Sequence, residues 1–156
     1  MQQPPPVTEL LQEMNSFADD VQDALTARGV DWHCCPQEGE WSLTEVACHL
    51  RDVEREVHQP RFRALIEADG AFLAGAVADD WVEQRRYREQ HGPTALGEFL
   101  EARRETLEML RALPAPVWQR KGQHSFFGPT SMHELLFLAV QHDRAHWEQI
   151  QKLLAM

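Results

Sequence analysis

Residues 131–154 read SMHELLFLAVQHDRAHWEQIQKLL, and the spacing of their apolar positions predicts one long amphipathic helix. Leu135, Leu138, Ala139, Ile150, Leu153 and Leu154 recur on the period of a single helix face. Ser131 and Glu134 open it as a capping box, in which each side chain satisfies the other residue's backbone N–H. His142 and His146 interrupt the apolar face four residues apart, so their rings project from one side, one turn apart. Burying two imidazoles there demands partners for their nitrogens. A metal site, a catalytic pair or two hydrogen-bonded core histidines would each provide them.

Three further helices follow from the same periodicity. PPPVTELLQEMNSFADDVQDALTARG (4–29) carries Leu10, Leu11, Met14, Phe17, Val21 and Leu25 on one face before Gly29. A second capping box, Ser42 with Glu45, opens a helix whose face is Val46, Leu50, Val53 and Val57. Pro60 should kink or break it, because proline removes a helix hydrogen bond. Gly92-Pro93-Thr94 precedes the third, with Leu96, Phe99, Leu100, Leu107, Leu110 and Leu113 ahead of Pro114. Strand signals are almost absent. The expectation is all-α: a four-helix bundle with a long crossover over residues 69–92 that lets helices two and three run parallel.

At 156 residues the chain is expected to form a single domain over 1–156, with residues 1–7 disordered ahead of the first helix. A formal charge of −10 repels nucleic acid and anionic membrane surface as partners. No signal peptide is expected, no apolar run is long enough to span a bilayer, and three cysteines, two of them adjacent, do not make a disulfide framework. A cytoplasmic location is the expectation.

His49 stands three residues after Val46 and four before Val53, so it too faces the core. With flush ends and antiparallel neighbours, it lies about 10 Å into helix two and His146 about 12 Å from the end of helix four, at the rise of 1.5 Å per residue. Three rings at one level leave too many unsatisfied nitrogens unless they share a partner. A divalent metal is that partner, and three imidazoles without a fourth protein ligand make an open, catalytic type of site. Zinc or nickel leads, with iron, manganese or copper also admissible. HDRAH lacks the glutamate of the metalloprotease helix; Asp143 stands there and is expected to hold an imidazole or face solvent.

Together WSLTEVACHLRDVER (41–55), VWQRKGQHSFFG (117–128) and TSMHELLFLAVQHDRAHWEQI (130–150) resemble the DinB/YfiT-like family of bacterial four-helix-bundle proteins, over about residues 8–154. The resemblance implies an up-down-down-up bundle, often a homodimer, with a divalent metal on His49, His142 and His146. It also implies an activity drawn from those assigned to family members: bacillithiol-type S-transfer, mycothiol-dependent isomerisation, or hydrolysis. The family name refers to damage induction and implies no DNA contact.

The first expectation is thus a metal-dependent transferase acting on a small-molecule electrophile and a low-molecular-weight thiol, whose ionised sulfur is the nucleophile. The alternatives are a metal-dependent hydrolase, or a non-catalytic metal- or ligand-binding stress protein. Asp52, Glu45 and His124 are the candidate catalytic groups, the first two as bases or imidazole-orienting acids, the last at the pocket mouth. Arg55, Arg61, Arg63 and Arg103 are candidates for a substrate carboxylate, each weighed against a surface or ion-pair role. His33-Cys34-Cys35 reads as a loop, Cys48 as helix packing, His58, His91 and His133 as surface, and Trp41, Trp118 and Trp147 as core anchors.

Overall fold

A computed structural model describes residues 3–156. Both predicted capping boxes form. Glu45 N–H donates to Ser42 Oγ at 3.3 Å and Ser42 N–H to Glu45 Oε1 at 3.0 Å, opening α2 (Leu43–Val53). The same exchange between Ser131 and Glu134, at 3.0 and 3.1 Å, opens α6 (Met132–Leu154). Helix α1 spans Val7–Leu25. Helix α5 (Gly92–Arg111) starts on His91, whose Nδ1 accepts from Thr94 N–H at 3.3 Å.

Pro60 does not break the second helix. After Val53 the chain makes a π-turn over Glu54–His58 and continues as α3 (Gln59–Glu67). Gln59 N–H bonds Glu54 O, five residues back, so the hydrogen-bond ladder is already offset where Pro60, which has no N–H, enters.

The expectation of an all-α chain needs correcting. Strand β2 (Lys121–His124) pairs antiparallel with β3 (Gly128–Ser131) and parallel with the two-residue β1 (Phe72–Leu73). KGQH and GPTS carry no alternation of β-branched residues, so pattern alone could not reveal them. The crossover is likewise structured: it holds β1 and the one-turn α4 (Trp81–Gln84), and it buries Tyr87 completely. At the N-terminus, residues 1 and 2 lie outside the described residues, but Val7 already belongs to α1 and Pro5 O accepts from His133 Nε2 at 2.6 Å. The expected disorder therefore does not extend to residue 7.

Helices α1, α2, α5 and α6 pack around two apolar clusters. One holds Phe17, Leu50, Phe99 and Ile150, the other Met14, Phe62, Leu107 and Val140. Between them lies a polar layer. Arg103, only 1% exposed, donates to Glu54 at 2.9 and 3.0 Å, to Asp143 at 2.8 and 2.9 Å, and to Met14 O at 3.2 Å. One guanidinium thus ties α1, the π-turn and α6 to its own helix. Two carboxylates share a single cation: burial pushes Asp143 up to about 6, while Arg103 outweighs burial at Glu54 and holds it below its ordinary value. Among the described residues no helix is long and apolar enough to cross a membrane.

Candidate metal centre

The three predicted histidines come together. His49 Nε2 lies 3.1 Å from His142 Nε2, and His146 Nε2 lies 3.1 Å from that same atom. The capped start of α2 fixes the depth of His49, and α6 presents the other two rings one turn apart. His49 is fully buried and its partners are half-buried.

The proton count around these nitrogens is decisive. His146 Nδ1 faces Gln149 Oε1 at 2.8 Å; an amide oxygen only accepts, so Nδ1 carries the proton and Nε2 presents a lone pair. His142 Nε2 then faces two imidazole nitrogens with at most one proton to offer. Nδ1 of His49 and of His142 are buried without a hydrogen-bond partner among the described residues. No tautomer assignment satisfies the three Nε2 atoms with hydrogen bonds alone, whereas a shared cation would accept all three of their lone pairs. The observed separations are close to the roughly 3.3 Å between ligand nitrogens on a tetrahedral ion with bonds of 2.0–2.1 Å. All three rings are held neutral, the ligating form. Burial lowers His49 to about 3, helped by His146 and His58; it drives His142 well below its ordinary value, and it lowers His146 against the pull of Gln149.

Trp41 walls the cluster. Its ring stacks on His146 (6.2 Å between centroids, 9° between planes) and sits 4.9 Å from His49. It packs against the core as expected, and it also shields two candidate ligands.

Two cavities open from the histidines. The first, about 410 Å³, is lined by His49 and His142 together with His58, Arg61 and His124. The second, about 650 Å³, is lined by His142, His146 and Trp41, with Pro36 and Lys152 farther out. His142 and Asp79 are shared between them. The expected position of His124 at the pocket agrees with this lining, although the residue is only 2% exposed rather than a surface loop group.

Other sequence candidates are committed elsewhere. Asp52 accepts from Arg51 Nε at 2.8 Å, Arg85 Nη1 at 3.0 Å and Tyr87 Oη at 2.6 Å, and Glu45 is occupied by its cap. Neither carboxylate lines either cavity. Arg103 and Asp143 are spent on each other, so Arg103 is no substrate group and Asp143 holds a guanidinium rather than an imidazole. Arg55 pairs with exposed Glu98. Cys48 is buried, and burial pushes its thiol up to about 11, as packing rather than reactivity requires. His133 and His91 serve as a tie to Pro5 and a helix cap.

His58 was expected at the surface. It lies instead against His142, its Nε2 buried and without a partner among the described residues, because the π-turn rotates it inward. A regular helix drawn from sequence misplaces every side chain beyond such a turn. Asp79 was also missed: it sits on the crossover, where no periodicity points to it.

The sequence model of the DinB superfamily matches residues 24–150, most of the chain and all three histidines. The chain belongs to the DinB superfamily. Its fold is similar to that of YfiT from Bacillus subtilis, described as "a probable metal-dependent hydrolase with an unusual four-helix bundle topology". The TM-score is 0.80 over 94% of this chain and 84% of that one, at 18% identity, a likeness of fold alone. No curated protein matches the sequence. The bundle expected from four amphipathic helices is thus that of a DinB-superfamily member, with a small sheet added.

Proposed function

We propose that this DinB-superfamily chain is a metal-dependent enzyme, and that it joins a low-molecular-weight thiol to a small-molecule electrophile. The observation that carries this reading is the convergence of the Nε2 atoms of His49, His142 and His146 between two cavities that share His142. A divalent ion there, zinc or nickel first, would ionise a coordinating thiol or lower the pKa of water to about 7.

The chain's own residues provide the rest. His49, His142 and His146 supply neutral lone pairs, Gln149 fixes the tautomer of His146, and Trp41 keeps bulk water from one side. Two cavities suit two organic reactants better than one reactant and water. Neither cavity is lined by serine or cysteine, which favours a nucleophile brought by a substrate. In the transfer, the thiol sulfur forms the new C–S bond, the leaving group departs with its electron pair, and the thiol proton passes to solvent. The up-down-down-up course and a homodimer belong to the same reading, on the strength of the long crossover and the family likeness.

A second reading, hydrolysis, draws on the description of YfiT as "a probable metal-dependent hydrolase". One experiment separates the two. Zinc- or nickel-loaded protein is given 1-chloro-2,4-dinitrobenzene with and without bacillithiol, and chloride release is followed. Release that requires thiol, and that His142→Ala abolishes, supports transfer. Release in water alone moves the assignment to hydrolysis, and no release in either condition removes both.

A further inference from the structure

The first cavity has a polar end that the histidine cluster does not use. Arg61 on α3 and His124 at the end of β2 both line it, and neither lines the second cavity.

Arg61 Nε donates to Ala74 O at 2.9 Å, which fixes the side chain to the crossover. Its terminal nitrogens make no hydrogen bond, and Arg61 joins no ion pair among the described residues. In a chain of net charge −10, an arginine half-buried in a cavity and left without a carboxylate is conspicuous. Arg61, His58 and His124 all line this cavity.

His124 is oriented by its own hairpin. Nδ1 accepts from Phe126 N–H at 3.0 Å and from Phe127 N–H at 3.4 Å. The neutral ring must then carry its proton on Nε2, and that atom is buried without a partner among the described residues. Burial, and secondarily Arg61, keep the ring neutral. Arg61 and His124 thus line one cavity together with the apolar Val57, Phe62, Leu135 and Leu138.

We propose that Arg61 and His124 bind the carboxylate of an apolar monocarboxylic acid whose other end reaches His49 and His142. The assignment names the electrophile's class and rests on the proposed function for what happens at that other end. One guanidinium and one neutral N–H balance one negative charge. A phosphate dianion would bring a second charge with no counterpart into an apolar cavity. The planar fork of arginine suits the two carboxylate oxygens, which lysine would not match.

The test is binding, without thiol, on metal-stripped full-length protein, so that no ion attracts the probe. 4-Phenylbutyrate and its neutral isostere 4-phenylbutyramide are titrated by calorimetry. Wild type should prefer the acid by about ten-fold or more, the usual advantage of hydrogen bonds to a charged group. Arg61→Met, which keeps the stem, should weaken the acid far more than the amide and so remove that preference. His124→Asn keeps an acceptor for the hairpin N–H groups, loses the Nε2 donor, and should reduce the preference in part. An acid preference that persists in Arg61→Met, or its absence in wild type, overturns the assignment. Because the readout is free of thiol, failed turnover would leave it standing. Conversely, thiol-dependent release from 1-chloro-2,4-dinitrobenzene, which has no carboxylate, would survive its failure.

Discussion

Asp143 meets Arg103 through two hydrogen bonds of 2.8 and 2.9 Å, one residue along the chain from His142. The pair sets the rotation of α6 against α5, and so the direction in which the histidine ring beside it is offered. Structure and chemistry are joined here by a single peptide bond.

Removing that guanidinium leaves Glu54 and Asp143 buried without a counter-charge. Arg103→Leu should therefore destabilise the fold by about 3–5 kcal/mol, the usual penalty for breaking a buried ion pair from one side. Urea denaturation measures it. Adding Glu54→Gln and Asp143→Asn should recover more than half of the loss, since the burden is the unpaired charge rather than the lost contact. A triple variant as unstable as the single one would show that the layer's packing, not its charge, matters.

Metal content follows from the proton count at the three rings. Untagged protein equilibrated with zinc or nickel should carry close to one ion per chain by elemental mass spectrometry, and His142→Ala, which removes the nitrogen shared by both contacts, should carry nearly none. Protein that takes up no ion under either condition would leave three core histidines in unexplained contact.

Trp41 gives an optical report of the same event. Its ring lies against two candidate ligands, so nickel or copper bound among them should quench its fluorescence. Trp41→Phe should remove most of the quenching although four other tryptophans remain. Quenching retained in that variant would place the ion elsewhere.

Acid should loosen the crossover before the bundle. Burial opposes ionisation of Asp52, but Arg51, Tyr87 and Arg85 outweigh it and hold its pKa below the ordinary value. A carboxyl depressed in the folded state contributes stability that is complete above its unfolded pKa, near 4, and is lost as pH falls through the folded value. Melting temperature should therefore fall steeply below about pH 4, and Asp52→Asn should flatten that limb while lowering stability at neutral pH. An unchanged acid limb would assign the loss to Glu54, held low by Arg103 in the same pH range.

Much of this was legible in the sequence because helix faces are periodic. The capping boxes at Ser42 and Ser131 located the two helices that carry histidines, and the apolar repeat around His49, His142 and His146 pointed all three inward. What escaped was whatever departs from the period. His58 turns inward only because the helix gains a residue over 54–58; β2 and β3 are short and carry no apolar alternation in their sequences; Asp79 and the hairpin around His124 are placed by contacts across the chain. Asp52 and Glu45 lay near His49 along the helix, but sequence could not show that Arg51, Arg85, Tyr87 and Ser42 had already claimed them.

The π-turn has a consequence for how such proteins diversify. It lies between His49 and Arg61, so it acts as an angular offset between two halves of one continuous rod. Losing a single residue within Glu54–His58 would restore regular winding and turn everything after it by about 100°. His49 would keep its place while His58 and Arg61 swung away from the cavity. One codon gained or lost at that turn can therefore re-aim the groups that face a substrate, with no change to the three histidines themselves.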